Sequence, residues 1–258
     1  MVQMLTQKEE TARQRICLAV DTPTVADGLS LAMELAGNVG SFKIGKELHT
    51  AACNAGVPIV ARIYENSPYK EPNVFLDLKF HDTPQTVYGA AVAATVPGVR
   101  MFNVHVAGGE KMCRKAVEGA YRAGTSAEMK GKVPYVIGVT VLTSLNDEDL
   151  AAQHLGIKYD DLVRRRTELA REWGLAGIVC PANKAGALEK EFGSDFLYVT
   201  PGIEWGGNAG EGQKQLYTPD RAIQDCHNSV LVVGSAITKA ANRRATAYEI
   251  LRAMAPYV

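Results

Sequence analysis

The sequence has no excess of either charge and no long apolar run, and each absence excludes a class of protein. Lysine and arginine together number 28, aspartate and glutamate also number 28, and the formal net charge is zero. No overall field therefore favours nucleic acid or an anionic membrane surface as a partner. No apolar stretch approaches the ~20 residues that a membrane-spanning helix needs. An anionic ligand would have to be held by a local site.

Cysteine is sparse and shows no pattern. The five cysteines form no C-x-x-C pair and no dense framework, and their odd number favours free thiols in a reducing compartment: Cys17, Cys53, Cys113, Cys180 and Cys226. The opening segment, MVQMLTQKEETARQR, is polar and charged and contains no apolar signal core. We expect a cytoplasmic protein with no membrane partner.

Several common catalytic signatures are also missing. There is no set of His, Cys and carboxylate residues at metal-ligand spacing, no G-x-S-x-G nucleophile elbow and no G-x-G-x-x-G after a strand. These patterns mark metal sites, serine hydrolases and dinucleotide-binding domains. We therefore expect a site without a metal and without a cofactor.

Short apolar runs recur along the chain, separated by amphipathic stretches such as 27–35, 159–173 and 238–254. Nearly continuous aliphatic runs are typical of parallel strands covered by helices. The strand candidates are Ile16–Val20, Ser41–Ile44, Val74–Leu78, Met101–Val104, Tyr135–Val141, Ala176–Val179, Phe196–Val199 and Val230–Val233. Eight strands alternating with helices predict an α/β fold, a (β/α)8 TIM barrel, with a doubly wound open sheet as the main alternative.

The chain of 258 residues contains no Pro/Ser-rich linker and no internal repeat, so we expect a single barrel domain over 15–258. Residues 1–14 would form an N-terminal extension, for which a helix is one conformation considered. The longest irregular stretch, 201–217, is rich in glycine and precedes Thr218-Pro219, a typical helix start. A glycine-rich loop of that length in a compact domain is more often functional than idle.

The most informative residues form the segment FLDLKFHDTPQTV at 75–87. In a strand, Asp77 and Lys79 share one face, and the apolar residues between and beside them share the other. The apolar face suits packing against helices, which points both charges into the barrel at its carboxyl-terminal rim, where such barrels keep their chemistry. Asp82 follows just past the strand.

Two further charges occupy equivalent places: Asp21 follows the first strand, and Lys43 lies within the second. Together with the charges at 77, 79 and 82 they would lie close together at the carboxyl-terminal end of the barrel. Such a cluster is either a structural ion-pair network or a functional site. Burying a charge costs several kcal/mol unless it is paired, so we favour the functional interpretation.

Decarboxylation followed by protonation fits these charges best. A lysine held between carboxylates keeps its proton and can serve as a general acid to a carbanion. A fixed carboxylate repels a substrate carboxylate placed against it, by roughly 4 kcal/mol at ~4 Å and an effective dielectric near ~20. Loss of CO₂ relieves that repulsion.

These residues resemble the orotidine 5′-phosphate decarboxylase family. The most specific match is the D-x-K-x-x-D motif, present as DLKFHD at 77–82, and supporting matches are LAVD, FKIG, FNVH, VTVLTS, TPGI and VVG. The similarity runs over nearly the whole chain from Ile16 on. It implies a cofactor-free barrel enzyme that converts orotidine 5′-phosphate to UMP, with a catalytic set of Lys43, Asp77, Lys79 and Asp82.

The resemblance also implies a role for each matching residue. Asp77 would face the departing carboxylate, and Lys79 would protonate C6 of the pyrimidine. Asp21 and Lys43 would hold ribose hydroxyls. The remaining implied substrate-binding residues are Thr86, Ser144, Pro201, Gln213, Gly234 and Ser235.

The resemblance further implies a contact between subunits and two contacts with the substrate. In the family, the residues matching Asp82 and Thr86 reach into the neighbouring subunit's site, which implies a homodimer. Ser144 would contact the pyrimidine, and Gln213 would bridge pyrimidine and phosphate from the loop.

The sequence departs from the family at two arginines that help to bind phosphate. Glu204 stands where the family commonly has arginine after P-G-I, and Ser235 stands where it has arginine after V-G. Backbone amides of Gly234 and Ser235 at a helix start are one substitute. Arg243 or Arg244 of the following helix is another.

Two other functions compete with this interpretation. Relatives that share D-x-K-x-x-D act on sugar phosphates with magnesium, such as 3-keto-gulonate-phosphate decarboxylases and hexulose-phosphate synthases. These look as though they carry an acidic residue where this chain has Lys43, and a lysine there disfavours Mg²⁺. A non-catalytic nucleotide-binding protein is the second alternative, which the missing arginines suggest and the complete charge cluster opposes.

Overall fold

The computed structural model describes residues 5–67, 73–206 and 217–258. Its eight strands are β1 (Ile16–Ala19), β2 (Ser41–Gly45), β3 (Val74–Phe80), β4 (Val99–His105), β5 (Tyr135–Val139), β6 (Gly177–Val179), β7 (Leu197–Thr200) and β8 (Ser229–Val233). All are parallel, each pairs with its neighbours in chain order, and β1 pairs with β8. The sheet is therefore a closed barrel, and the predicted (β/α)8 fold is confirmed.

Helices connect the strands on the outside of the barrel. They are α1 (Gln7–Arg15), α2 (Val25–Leu35), α3 (Lys46–Asn54), α4 (Ile59–Glu65), α5 (Pro84–Ala94), α6 (Glu110–Gly124), α7 (Asp147–Ala152), α8 (Tyr159–Glu172), α9 (Ala182–Phe192), α10 (Pro219–Asp225), α11 (Ser235–Thr238) and α12 (Arg243–Met254), with 3₁₀ turns at Val106–Gly108 and Ala255–Tyr257. Among the described residues, no helix is both long and apolar enough to span a membrane.

The helix predicted over 238–254 is wrong as a continuous element. Helix α11 ends at Thr238, and α12 begins only at Arg243. The break is stabilised by Asn242, whose side-chain oxygen accepts a hydrogen bond from the Ala245 N–H at 3.0 Å. An asparagine N-cap of this kind satisfies a helix-terminal donor and starts a new helix.

Two apolar layers make up the core. The larger lies between the strands and the surrounding helices, and the smaller fills the barrel with alternate strand residues: Cys17, Ala19, Phe75, Met101, Ile137, Leu197, Val199, Val230 and Val232. Because side chains alternate along a strand, the inward face of β3 continues from Phe75 to Asp77 and Lys79. At the carboxyl-terminal rim, the apolar side chains inside the barrel are therefore followed by the charged side chains of Asp77 and Lys79.

Helix α1 packs at the opposite, amino-terminal end of the barrel. It begins with a capping box in which Thr6 and Glu9 satisfy each other's backbone N–H groups. Its last turn lies so close to Gly40 that a Cβ there would approach the Gln14 Cα to 2.5 Å. Only glycine allows this contact without a shift of the backbone.

Candidate active site

A cavity of about 430 Å³ opens at the carboxyl-terminal ends of the strands, a size suited to a nucleotide-sized ligand. Its floor is the apolar layer that fills the barrel, and its walls come from the residues that follow the strands. The lining residues are Ala19, Asp21, Lys43, Phe75, Asp77, Lys79, Val139, Val141, Leu142, Thr143, Val179, Val199, Pro201, Val232, Gly234, Ser235, Thr238 and Lys239.

Four charged side chains of alternating sign form a continuous chain along one wall. Lys43 Nζ donates to Asp21 Oδ1 at 2.9 Å and lies 3.4 Å from Asp77 Oδ2. Lys79 Nζ donates to the other oxygen of Asp77, Oδ1, at 2.5 Å. The exposed fraction rises from 11% for the Lys43 side chain and 13% for Asp77 to 25% for Lys79 and 51% for Asp21. The two inner charges are nearly buried, and the outer two face the cavity and solvent.

The neighbouring charges keep the inner pair ionised. Burial opposes the charged form of Lys43, but Asp77 and Asp21 outweigh it and raise the pKa of the ammonium. Burial likewise favours the neutral form of Asp77, but Lys43 and Lys79, with hydrogen bonds from Lys79 and Asn103, lower the pKa of this carboxyl. Asp77 is thus held as a carboxylate inside the cavity.

Strand β3 is irregular where it carries the charges. Leu76 pairs with Phe102 of β4, but the next pair is Phe80 with Val104, so four residue steps on β3 face two on β4. Within this bulge Lys79 adopts a positive φ of 52°, a left-handed conformation that is uncommon for residues other than glycine. Unusual backbone of this kind is often found at functional sites.

Asn103 of β4 holds the bulge together. Its side-chain oxygen accepts a hydrogen bond from the Lys79 backbone N–H at 2.7 Å, and its amide Nδ2 donates to Asp77 Oδ1 at 2.7 Å. The residue is fully buried. One amide therefore fixes both the backbone of the lysine and the orientation of the carboxylate. Asn103 was not among the residues predicted from sequence, although a polar residue inside the apolar run MFNVH is a usable signal.

Some of the expected site residues lie away from the cavity. Asp82 is exposed and accepts a hydrogen bond from the Thr83 N–H at 2.6 Å. Thr86 is also exposed, with its hydroxyl 2.9 Å from that of Thr83. Ser144 is exposed and is not part of the lining, whereas its neighbour Thr143 is. Within the single chain, the charge at 82 does not join the ion-pair chain.

Among the described lining residues, those that follow β7 and β8 carry fewer charges than those of β1 to β3. Pro201, Gly234 and Ser235 line the cavity as expected, together with Thr238 and Lys239, which were not predicted from sequence. Gln213 lies outside the described residues.

Glu204, Arg243 and Arg244 do not line the cavity. Glu204 is partly buried elsewhere. Arg243 donates to the Glu34 carboxylate at 3.0 Å, and Arg244 donates to the Glu34 backbone oxygen at 2.9 Å. Both arginines are therefore turned towards α2 and do not stand in for an arginine at 235.

Two histidine rings lie next to each other, tilted by 41°, beside the charged wall. The rings of His81 and His105 lie 5.3 Å apart between centroids. Burial, with the nearby His81 and Lys79, lowers the pKa of His105 to about 4. This imidazole is therefore neutral at pH 7.

The profile of the Orotidine 5′-phosphate decarboxylase / HUMPS family matches residues 14–250. Proteins named orotidine 5′-phosphate decarboxylase are 38% identical in Syntrophus aciditrophicus, over 97% of this chain and 96% of that protein, and 39% identical in Moorella thermoacetica, over 93% of each. The crystal structure of orotidine 5′-phosphate decarboxylase from Lactobacillus acidophilus superposes with a TM-score of 0.76 at 29% identity, covering 93% of this chain and 98% of the other. The chain belongs to the orotidine 5′-phosphate decarboxylase / HUMPS family.

Proposed function

We propose that this protein decarboxylates orotidine 5′-phosphate to UMP, the reaction that ends the synthesis of this pyrimidine nucleotide. The observation that carries the proposal is the Asp77 carboxylate, held ionised by Lys43 and Lys79 inside a cavity of nucleotide size. Relatives of nearly the same length that carry this name support it.

In the proposed reaction, Asp77 faces the substrate carboxylate and repels it. That repulsion is on the order of 4 kcal/mol at ~4 Å and an effective dielectric of ~20. The bond between C6 and the carboxylate breaks, CO₂ leaves, and the electron pair stays on C6. A proton moves from Lys79 Nζ to C6, and the lysine regains a proton from water. Repulsion that is lost on the way to the transition state lowers the barrier.

Lys43 and Asp21 have supporting roles. Lys43 bonds to both acids and holds Asp77 in place from the side opposite Lys79. The half-exposed Asp21 carboxylate and the Lys43 ammonium are suited to the ribose hydroxyls, which can donate to the first and accept from the second.

A magnesium-dependent sugar-phosphate activity is disfavoured by the position of Lys43. Its ammonium lies between Asp21 and Asp77, at 2.9 and 3.4 Å, in the place where a divalent cation would have to bridge these acids. We expect turnover of orotidine 5′-phosphate to be unaffected by EDTA. A requirement for added Mg²⁺ would contradict this assignment.

The central experiment follows the loss of the orotate chromophore when purified protein is mixed with orotidine 5′-phosphate, with UMP identified as the product. We expect turnover at catalytic concentrations of protein. Tight UMP binding without any loss of the chromophore would instead indicate a non-catalytic nucleotide-binding protein.

We also propose a homodimer with shared sites. Asp82 and Thr86 are exposed at the carboxyl-terminal rim. In a dimer, these residues of one subunit can therefore reach the cavity of the other subunit. Mixing inactive Lys79→Ala subunits with inactive Asp82→Ala subunits should restore activity, because one site of each heterodimer then lacks both substitutions. Absence of recovery after verified subunit exchange would contradict sharing.

The thiols are consistent with a cytoplasmic location, which we propose as well. All five cysteines are free. Burial raises the pKa of Cys17 to about 11 and that of Cys113 and Cys226 to about 12. These thiols therefore stay protonated at pH 7, and since the thiolate is the reactive form, they resist oxidation. Fractionation of cells that express a tagged chain tests the location.

A further inference from the structure

A second cavity lies at the amino-terminal end of the barrel, away from the charged wall. Its volume is about 500 Å³, and its lining comes from α1 and from residues at or just before the starts of β2, β3, β4 and β5. Among the described residues, it shares no lining residue with the cavity at the carboxyl-terminal ends of the strands. This amino-terminal cavity is large enough for a nucleotide-sized ligand.

The lining of the amino-terminal cavity carries an excess of positive charge. Its described charged residues are one acid, Glu10, and three bases, Arg13, Arg100 and Lys132. Glu10 and Arg13 are bonded to each other, so their charges offset. Arg100 is partly buried, forms no ion pair with the described residues, and donates one long hydrogen bond, from Nη1 to the Gln14 backbone oxygen at 3.5 Å. Its guanidinium has five N–H donors, so most of them can bind an anion.

The amino-terminal cavity also contains an acceptor that lacks a donor. Asn73 lines the cavity, and its side-chain oxygen is buried and accepts no hydrogen bond among the described residues. The residue is 5% exposed, and its backbone is fixed by bonds from its N–H to the Gly98 oxygen, at 3.0 Å, and from the Phe42 N–H to its own oxygen, at 2.8 Å. An unpaired buried acceptor is unfavourable, and a ligand N–H that bonds to this oxygen removes that cost.

The third feature of the amino-terminal cavity is an aromatic ring at a suitable spacing. Asn73, Arg100 and Tyr135 stand at the amino ends of three consecutive strands, β3, β4 and β5, which pair side by side. Neighbouring strands lie about 4.8 Å apart, so the first and third are about 10 Å apart. That distance leaves room for one planar ring between the Asn73 amide and Tyr135, which is 50% exposed. Tyrosine rings are suited to stacking on nucleobases.

We propose that the amino-terminal cavity is a second nucleotide site, which binds UMP without reacting with it. The uracil ring lies between Asn73 and Tyr135, its N3–H donates to Asn73 Oδ1, and its phosphate bonds to the Arg100 guanidinium. Arginine commonly binds phosphate through two parallel N–H groups. Uracil supplies the ring N–H that the unpaired oxygen needs, whereas cytosine has no hydrogen on N3. The proposal goes beyond the proposed function, since binding at this end uses none of the decarboxylating residues.

The test counts the UMP molecules bound per chain by equilibrium dialysis with labelled UMP. The wild type should bind two, one at each end of the barrel, and Arg100→Ala should lose the second, with its dissociation constant raised by about ten-fold or more. Arg100→Lys keeps the charge and should retain the second site, and Tyr135→Ala should weaken it several-fold. Arg122→Ala removes an exposed arginine of α6 outside the cavity and is the matched control, which should bind two.

The outcomes separate this site from the proposed function. If neither Arg100→Ala nor Tyr135→Ala changes UMP binding, the second site is overturned, and turnover of orotidine 5′-phosphate is unaffected by that result. If Arg100→Ala loses one UMP and the wild type shows no turnover, the second site stands and the proposed function falls. If thermal unfolding shows that Arg100→Ala does not fold, Tyr135→Ala decides alone. Equal affinity of the second site for CMP and UMP overturns the contact between uracil and Asn73.

Discussion

At the amino-terminal end of the barrel Arg13 is enclosed by its own partners, whereas at the carboxyl-terminal end Lys43, Asp77 and Lys79 line an open cavity. Arg13 donates to both oxygens of Glu10, at 2.8 and 2.6 Å, and to the backbone oxygen of Val39 at 2.6 Å. Its side chain is 4% exposed.

The two sets of charges differ in what they can bond to. Three N–H groups of the Arg13 guanidinium are bonded to Glu10 and Val39, and although a cavity of about 500 Å³ lies beside this arginine, its side chain is nearly buried. We call the amino-terminal end the closed end because this charge is bonded within the chain. The ammonium groups and carboxylates at the carboxyl-terminal, open end are bonded to each other and also line the cavity. A ligand can therefore form hydrogen bonds with them in place of some of these ion pairs. Removing charge should therefore reduce stability at the closed end and activity at the open end.

The largest effect is expected for Lys79→Ala. Because the proposed reaction makes Lys79 the acid for C6, kcat should fall by at least ~100-fold, while UMP binding and the unfolding temperature stay close to those of the wild type. Measurement of kcat, of the UMP dissociation constant and of thermal unfolding separates these quantities. A variant that retains a tenth of the wild-type kcat would remove Lys79 from this role.

Asn103→Asp should have the next largest effect. The substitution keeps an acceptor for the Lys79 N–H but replaces the donor to Asp77 with a like charge, which raises the pKa of Asp77. The acid side of the kcat/KM profile should move to higher pH, and kcat should fall by roughly ten-fold or more.

Asn228→Asp is the matched control at the closed end, where Asn228 donates to the Phe196 backbone oxygen at 3.0 Å. It should lower stability and leave the pH profile unchanged. An unchanged profile in Asn103→Asp would show that Asn103 acts only in packing.

Arg13→Ala should show the opposite pattern. It leaves the Val39 carbonyl and the Glu10 carboxylate without this donor, and we expect a loss of about 1–3 kcal/mol in the free energy of unfolding with kcat unchanged. Denaturant titration with an activity assay under native conditions checks both. A proportional fall in kcat would mean that the two ends are coupled.

The smallest effect concerns His105. Its pKa is lowered to about 4 by burial, so between the ordinary value near ~6.5 and 4 the unfolded chain binds more protons than the folded one. Stability should therefore decrease as pH falls through this window, and His105→Asn should flatten that dependence. Unfolding temperatures measured from pH 7 to pH 4.5 test it, with the exposed His154→Asn as a control that keeps the wild-type slope.

The strands were predictable from sequence because each is a local run of aliphatic residues, and their observed ends differ from the predicted ones by at most two residues. The charged wall was predictable as well, since alternation along β3 and the carboxyl ends of neighbouring strands bring Asp21, Lys43, Asp77 and Lys79 together. Both inferences need only local periodicity and the geometry of a parallel barrel.

What the sequence did not reveal depends on contacts between distant residues. The bulge in β3 is fixed by Asn103, which is 24 and 26 positions from its two partners. Arg243 and Arg244 are directed by Glu34, more than 200 positions away. No local pattern encodes such pairings.

The pairing of β1 with β8 has a consequence for the order in which activity can appear during folding. It joins Ile16 to Leu231 and Leu18 to Val233, across more than 200 residues, so it is a contact with a large loop-closure entropy. Every charged residue of the decarboxylating wall lies on or beside β1, β2 and β3, whereas Ser235, Thr238 and Lys239 follow β8. A chain that has formed only its first four strands contains the charged residues but lacks the part of the cavity lining that follows β8. Turnover therefore reports the fully closed barrel, and partly folded chains are catalytically silent.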